Sequence, residues 1–212
     1  MRVQPPFHGD WDDALEKLPA SAALTTRGLL RVDVWLQENA ALRPLTLAVV
    51  ESLHRMAFGG VFPDFAGRLR GEPPRYIPQN VTFDPHRGVP YERVPGKCAA
   101  LFRRVAELTA QLDTLATTAT PDNFADALTT VAAYTHSEFV RIHPFRNGNG
   151  RTARVCVNYF PRRFGLLPLT YERPDAGTGY LAATDAWLSR RDPAPFVAFL
   201  RPRLMRLTDN SE

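Results

Sequence analysis

The chain has 212 residues, 44% hydrophobic and 23% charged, a balance that excludes a wholly disordered polypeptide. The net charge is 26 − 22 = +4, but its arginines are scattered rather than gathered in a basic block, so no nucleic-acid partner is expected. No apolar run approaches the roughly 20 residues of a bilayer-spanning helix, so no membrane partner is expected.

The N-terminus, MRVQPPFHGDWDD, has no apolar signal core, so a cytoplasmic bacterial protein is expected, with delivery into another cell left open. Residues 1–24 read as an arm, polar around Pro5-Pro6, and residues 206–212 as a tail. Thr25-Thr26 is placed to cap a helix over 27–41, with Leu29, Leu30, Val34, Trp35 and Leu36 at helical spacing. Pro44 opens a second helix over 45–58, closed by Gly59-Gly60. Breakers then crowd residues 59–95, around an extended run that starts at Arg75 and ends at Phe83. The turn chemistry of Asp84-Pro85-His86-Arg87-Gly88 after it points to a β-hairpin or flap.

Residues 98–116 are helical in pattern, with Leu101, Phe102, Val105, Leu108 and Leu112 on one stripe. A Thr-rich break ending at Pro121 precedes another apolar helix over 122–142. A further helix follows Gly148, and a last helical segment covers 177–205, interrupted by Pro193 and Pro195. Cys98 and Cys156 lie far apart among apolar neighbours and read as core residues in a reducing compartment. The expected fold is all-α, mainly helical, with a small β-hairpin flap, its domain covering 25–205.

The chemistry concentrates in Arg141-Ile-His143-Pro-Phe145-Arg-Asn147-Gly148-Asn149-Gly150-Arg151-Thr-Ala-Arg154. A helix ends at a His-Pro step, because proline disfavours helical geometry before it. A Gly-Asn-Gly turn follows and a new helix starts at about Arg151. Such a turn presents unpaired backbone N–H groups and the positive end of a helix dipole, an anion-binding nest. Arg151 and Arg154 lie on one face of the first turn, where cations oppose the dipole; their pairing there suggests an anion. His143, just before the nest, has the chemistry to take a proton from an incoming hydroxyl.

The segment resembles the signature of the Fic family, H-P-F-x-[D/E]-G-N-G-R-x-x-R, at eight of its nine fixed positions. Leu53-His54-Arg55-Met56, Phe58-Gly-Gly-Val-Phe-Pro63 and Phe65-Ala-Gly-Arg68 are similar to the family's segment before its flap. Glu138-Phe139, Asn158 and Gly165-Leu-Leu-Pro168 also look like the family, so the resemblance spans residues 27–202. It implies a helical Fic core with the flap over the active site, and transfer of AMP from ATP to a Ser, Thr or Tyr hydroxyl of a target protein. By the same resemblance His143 would be the general base and Phe145 a core anchor. Gly148, Asn149, Gly150 and Asn158 would bind the nucleotide, and Arg151 and Arg154 would meet the charge on the leaving pyrophosphate. The flap near residues 75–83 would pair with the target as an added strand.

The acidic position of the signature, which in the family binds Mg²⁺, is Asn147. Three readings stay open: Asn147 holds Mg²⁺ loosely, another donor or none is used, or the chain is a weak nucleotide-binding and interaction module. An Asn here also resembles the group called mobile mystery protein B. Gly150 stands where phosphate-transferring Doc relatives carry lysine, which favours nucleotidyl transfer; UMP, phosphate and phosphocholine remain alternatives. The nearest match to the family's inhibitory helix is residues 34–39 with Glu38, read as an ordinary core helix, so inhibition would come from a separate antitoxin-like protein or be absent. Pro161 is expected to kink the helix after the motif. His136 and His54 read as packing residues, His8 and His86 as surface ones. No zinc-ligand spacing and no P-loop is present.

Overall fold

The computed structural model describes residues 19–72, 80–83, 85–170 and 179–208. Among them run seven helices: α1 (Pro19–Asn39), α2 (Leu47–Phe58), α3 (Val94–Thr118), α4 (Pro121–Ile142), α5 (Asn149–Arg163), α6 (Tyr180–Arg190) and α7 (Ala194–Thr208). Between α2 and α3 lie two short antiparallel strands, β1 (Thr82–Phe83) and β2 (His86–Arg87), paired Thr82 to Arg87 and Phe83 to His86. The mainly helical fold with one small hairpin is therefore the observed one. Tyr76 and Ile77, expected in the first arm of the flap, lie outside the described residues.

Helix α4 is the axis of the molecule. Thr120 accepts the Asn123 N–H at 3.4 Å and Pro121 takes the first turn, where its missing N–H costs nothing. The helix is buried over most of its C-terminal half, with Leu128, Ala132, Phe139 and Ile142 in the core, and it packs against α3, α5, α6 and α7. Its buried Thr129 and Thr135 satisfy their hydroxyls on the carbonyls of Ala125 and Val131, at 2.7 and 2.8 Å. Cys98 and Cys156 are free thiols inside this core, and burial pushes Cys98 up to about 12.

Helix α1 departs from expectation in two ways. It starts at Pro19, within the stretch expected as an arm, and runs through Thr25-Thr26 instead of being capped by them. The Ala-rich start favours helix, and Thr26 turns its hydroxyl back to Ala22 O at 2.9 Å, which leaves it no capping role. The buried face includes Val32 and Leu36, while Leu30 and Val34 are 63% and 52% exposed. The apolar stripe expected through Leu30 and Val34 is thus rotated, because α1 packs on both α2 and α5. Gly28 makes the α2 contact possible: a Cβ there would lie 2.2 Å from Ala57 O. Pro161 sits in the last turn of α5, which ends at Arg163, so the proline closes a helix rather than bending a longer one.

A candidate active site at the turn between α4 and α5

Helix α4 ends at His143, which adopts the left-handed conformation at φ 54° and ψ 59°. Pro144 disfavours the right-handed alternative, and a left-handed histidine is held only where its surroundings impose it. Arg70 imposes it. Its backbone N–H donates to Pro144 O at 2.8 Å, and its Nε to His143 O at 2.7 Å. Its Nη2 reaches Ile142 O at 3.0 Å and Val89 O at 2.9 Å. The side chain is 1% exposed. Burial lowers its guanidinium to about 10, which still leaves it charged at neutral pH. A buried cation therefore caps the carbonyl end of α4, where the helix dipole is negative.

The rest of the turn is pinned from inside. Phe145 is fully buried and stacks on the His54 ring with centroids 3.8 Å apart. His54 Nδ1 accepts the Gly67 N–H at 2.8 Å, so its proton is on Nε2, which donates to Asn147 O at 2.9 Å. Burial holds His54 down at about 4, keeping it neutral. The Asn149 amide closes a ring on Phe145, accepting its N–H at 2.9 Å and donating to its carbonyl at 2.8 Å. Gly148 caps α5 at φ 74°, and a Cβ there would come 2.6 Å from the Phe58 ring. Only glycine fits both the angle and the space.

This scaffold places His143 at the end of α4, Gly148 and Asn149 at the start of α5, and Arg151, Arg154 and Asn158 along α5. The His143 imidazole is partly buried, and its Nδ1 lies 3.3 Å from Val140 O, so Nδ1 carries the proton and Nε2 is the basic nitrogen. Burial lowers it to about 4, with the Arg70 charge acting the same way, so it is neutral at pH 7. The first N–H groups of α5, at Asn149, Gly150 and Arg151, have no carbonyl of their own helix to bond. Asn149 can offer an anion only this backbone group, since its side chain is spent on Phe145. Arg151 and Arg154 line a cleft of about 310 Å³ with Asn158, closed by Leu29, Asp33 and Leu36 of α1 and by Leu169. Asn158 holds that wall: its amide accepts the Leu169 N–H at 3.0 Å and donates to Leu169 O at 3.2 Å. Glu38 is exposed on α1, and the carboxylate that lines the cleft is Asp33, which also pairs with Arg162 at 3.2 Å.

Asn147 does not suit a resident Mg²⁺. Its Oδ1 accepts the Gly148 N–H, and its Nδ2, a donor that cannot ligate, is buried without a partner. Among the described residues no three His, Cys, Asp or Glu side chains gather to hold a metal. His136 is the expected packing residue, buried and 2.7 Å from the Tyr180 hydroxyl. His86 is not a free surface residue: its Nε2 meets Asp185 Oδ1 at 2.6 Å and ties the hairpin to α6. Two contributors gave no usable signal in the sequence. Arg70 looked like any other arginine of a breaker-rich stretch, and Tyr180 lay in an unremarkable helix.

The sequence profile of the Fic/DOC family matches residues 44–161, more than half of the 212. The protein adenylyltransferase Fic of Nematostella vectensis is 38% identical over 69 residues, which is 32% of this chain and 16% of that protein. The chain thus matches much less than two thirds of this curated relative. The structure is similar to that of a Fic domain containing signaling protein from Bacteroides thetaiotaomicron, with a TM-score of 0.63 and 23% identity over 89% of this chain and 69% of that one. It is also similar to the BepC effector of Bartonella tribocorum with bound AMPPNP, with a TM-score of 0.55, 17% identity and 86% of each chain covered. At these identities the two structures bear on the fold, while the sequence match fixes the lineage: the chain belongs to the Fic/DOC family.

Proposed function

We propose that the protein is a Fic-type nucleotidyltransferase that moves AMP from ATP onto a Ser, Thr or Tyr hydroxyl of a target protein. The observation that carries this reading is the neutral, Nδ1-protonated His143 beside the start of α5, with Arg151 and Arg154 on the same helix. The target oxygen attacks the α-phosphorus, the bond to pyrophosphate breaks, and the hydroxyl proton passes to His143 Nε2. Backbone N–H groups at Asn149 and Gly150 hold the phosphates, and the two arginines take up the charge gained by the leaving pyrophosphate. No step is routed through a protein-held Mg²⁺, because the Asn147 amide is neutral and its Oδ1 already accepts the Gly148 N–H.

Gly150 supports nucleotidyl over phosphate transfer. A Cβ there would meet only Arg154 Nη1, at 3.8 Å, so the phosphate path is clear, and a lysine would bring a further cation beside Arg154. The curated relative's name, protein adenylyltransferase, and the AMPPNP in BepC support the nucleotide assignment. The hairpin runs beside the general base: a Cβ on Gly88 would come 3.2 Å from His143 Cβ. A target segment paired on that hairpin would present its hydroxyl to His143. Glu38 faces solvent and so does not restrain the site; a separate antitoxin-like protein is the restraint that fits this reading.

A second reading, nucleotide binding without efficient turnover, is favoured by the amide at Asn147. Incubation with a bacterial lysate and ATP labelled at the α or the γ phosphate, beside His143→Ala, separates the two. Protein-bound label from α alone, lost in the variant, is the expected result. Label from γ alone would establish phosphate transfer instead. Label from neither, with ATP still bound in calorimetry, would leave the binding module standing.

A further inference from the structure

Tyr180 opens α6 directly after the left-handed Gly179 and is 6% exposed. Its hydroxyl stands between His136 Nε2, at 2.7 Å, and Arg154 Nη1, at 3.4 Å. Arginine has donors only, so the phenolic oxygen accepts from Arg154. The same hydroxyl is hydrogen-bonded to His136 Nε2, and that buried ring holds the tyrosine oxygen turned toward Arg154.

The tyrosine is itself immobilised. His136, which packs its edge on the Tyr180 ring, stacks on Phe196 with centroids 4.1 Å apart. Phe196 and Phe199 lie 5.8 and 5.7 Å from the Tyr180 ring centre. The Arg154 guanidinium carbon is 5.7 Å from that same ring. Arg154 thus meets a hydroxyl and a ring face fixed by a cluster that spans α4, α6 and α7.

We propose that Tyr180 is a positioning residue that holds Arg154 in the α1–α5 cleft, where it recognises the outer phosphates of a bound nucleoside triphosphate. This rests on the nucleotidyl-transfer reading above. Arg151 and Arg154 are like charges one turn apart, and a loose Arg154 would swing away from its neighbour. Ordering a long side chain at the moment of binding costs affinity, and a side chain ordered beforehand avoids that cost.

Tyr180→Phe keeps the ring and removes only the hydroxyl. AMPPNP affinity should fall about tenfold, the loss of one charge-assisted contact, while AMP affinity stays at its wild-type value and the thermal midpoint falls only modestly, because His136 Nε2 loses its buried partner. A parallel loss of both affinities together with the midpoint would mean a merely structural tyrosine and would overturn the proposal, as would no change in either affinity. A ligand-free measurement decides the point separately. In wild-type protein the ¹⁵N Nη resonances of Arg154, assigned by their loss in Arg154→Lys, should be separate because the guanidinium is held. Averaged resonances would overturn the proposal however well nucleotide binds. Wild-type protein that binds neither nucleotide would sink the transfer reading, and the resonances would still report whether Tyr180 holds Arg154.

Discussion

The turn between α4 and α5 and the β1–β2 hairpin meet at Gly88, yet they are held in opposite ways. The turn is fixed by buried polar groups: Arg70 on three carbonyls, His54 on two backbone groups, Asn149 on both ends of Phe145. The hairpin has strands of two residues each, and among the described residues the His86–Asp185 pair, 18% and 49% exposed, ties it to α6. A phosphate site needs its donors in place before the ligand arrives, and buried, satisfied networks provide that rigidity. A surface that must accept a partner's strand gains from weak fastening, because opening it then costs little.

Acid should break the turn first and most. His54 and His136 are buried neutral, held at about 4 and about 3 against an ordinary value of 6.5. The unfolded chain therefore binds protons that the folded one refuses. Their contribution to stability is complete above pH 6.5 and is lost as pH falls toward the folded values. His54 alone accounts for about 3 kcal/mol over that window. Urea titrations from pH 7 to pH 4 should show this fall; a flat profile would mean these imidazoles are solvated. Next in size is Arg70→Met. It strands the carbonyls of His143, Ile142 and Val89 in the core, and about 4 kcal/mol of stability should go at pH 7. A loss below about 1 kcal/mol would show that water replaces the guanidinium.

Much of this was legible in the sequence, and the misses have physical causes. The helices and the hairpin follow from apolar spacing and turn residues, which act locally. The motif turn was readable because Gly148 and His143-Pro144 are constrained by their own backbone geometry. Arg70 was not, since an arginine buried by contacts with residues more than 70 positions away looks like a surface arginine to any local pattern. The α1 stripe failed for a related reason. Leu30 and Val34 are at helical spacing, but the side buried is chosen by the approach that Gly28 allows to α2. Asn149 is expected at the phosphates as part of the motif, and what the motif does not show is the task of its side chain, which bonds both the N–H and the carbonyl of Phe145.

That side-chain role sharpens the comparison. Asn149→Ala removes two buried hydrogen bonds from the turn and leaves the α5 backbone N–H groups in sequence, so about 2 kcal/mol should be lost in chemical denaturation. Nucleotide affinity should fall with it, because the ring that orients those N–H groups opens. Unchanged affinity in a destabilised variant would show that α5 alone sets the nest.

The smallest expected effect tests the other half. His86→Ala removes the tie between the hairpin and α6 while leaving the buried network intact. Pairs this exposed add little to global stability, so the denaturation midpoint should not move. Local opening is a different quantity, governed by the few contacts that a short segment must break. The Gly88 N–H, bonded to Val81 O at 3.0 Å, reports it directly. Its hydrogen exchange should quicken in the variant, whereas amides in the middle of α4 keep wild-type rates. Equal exchange at Gly88 in both proteins would mean that packing of Gly88 between Arg70 and His143, and not the His86–Asp185 pair, sets where the hairpin lies. The flap would then share the rigidity of the turn, and an incoming strand would have to match a fixed edge.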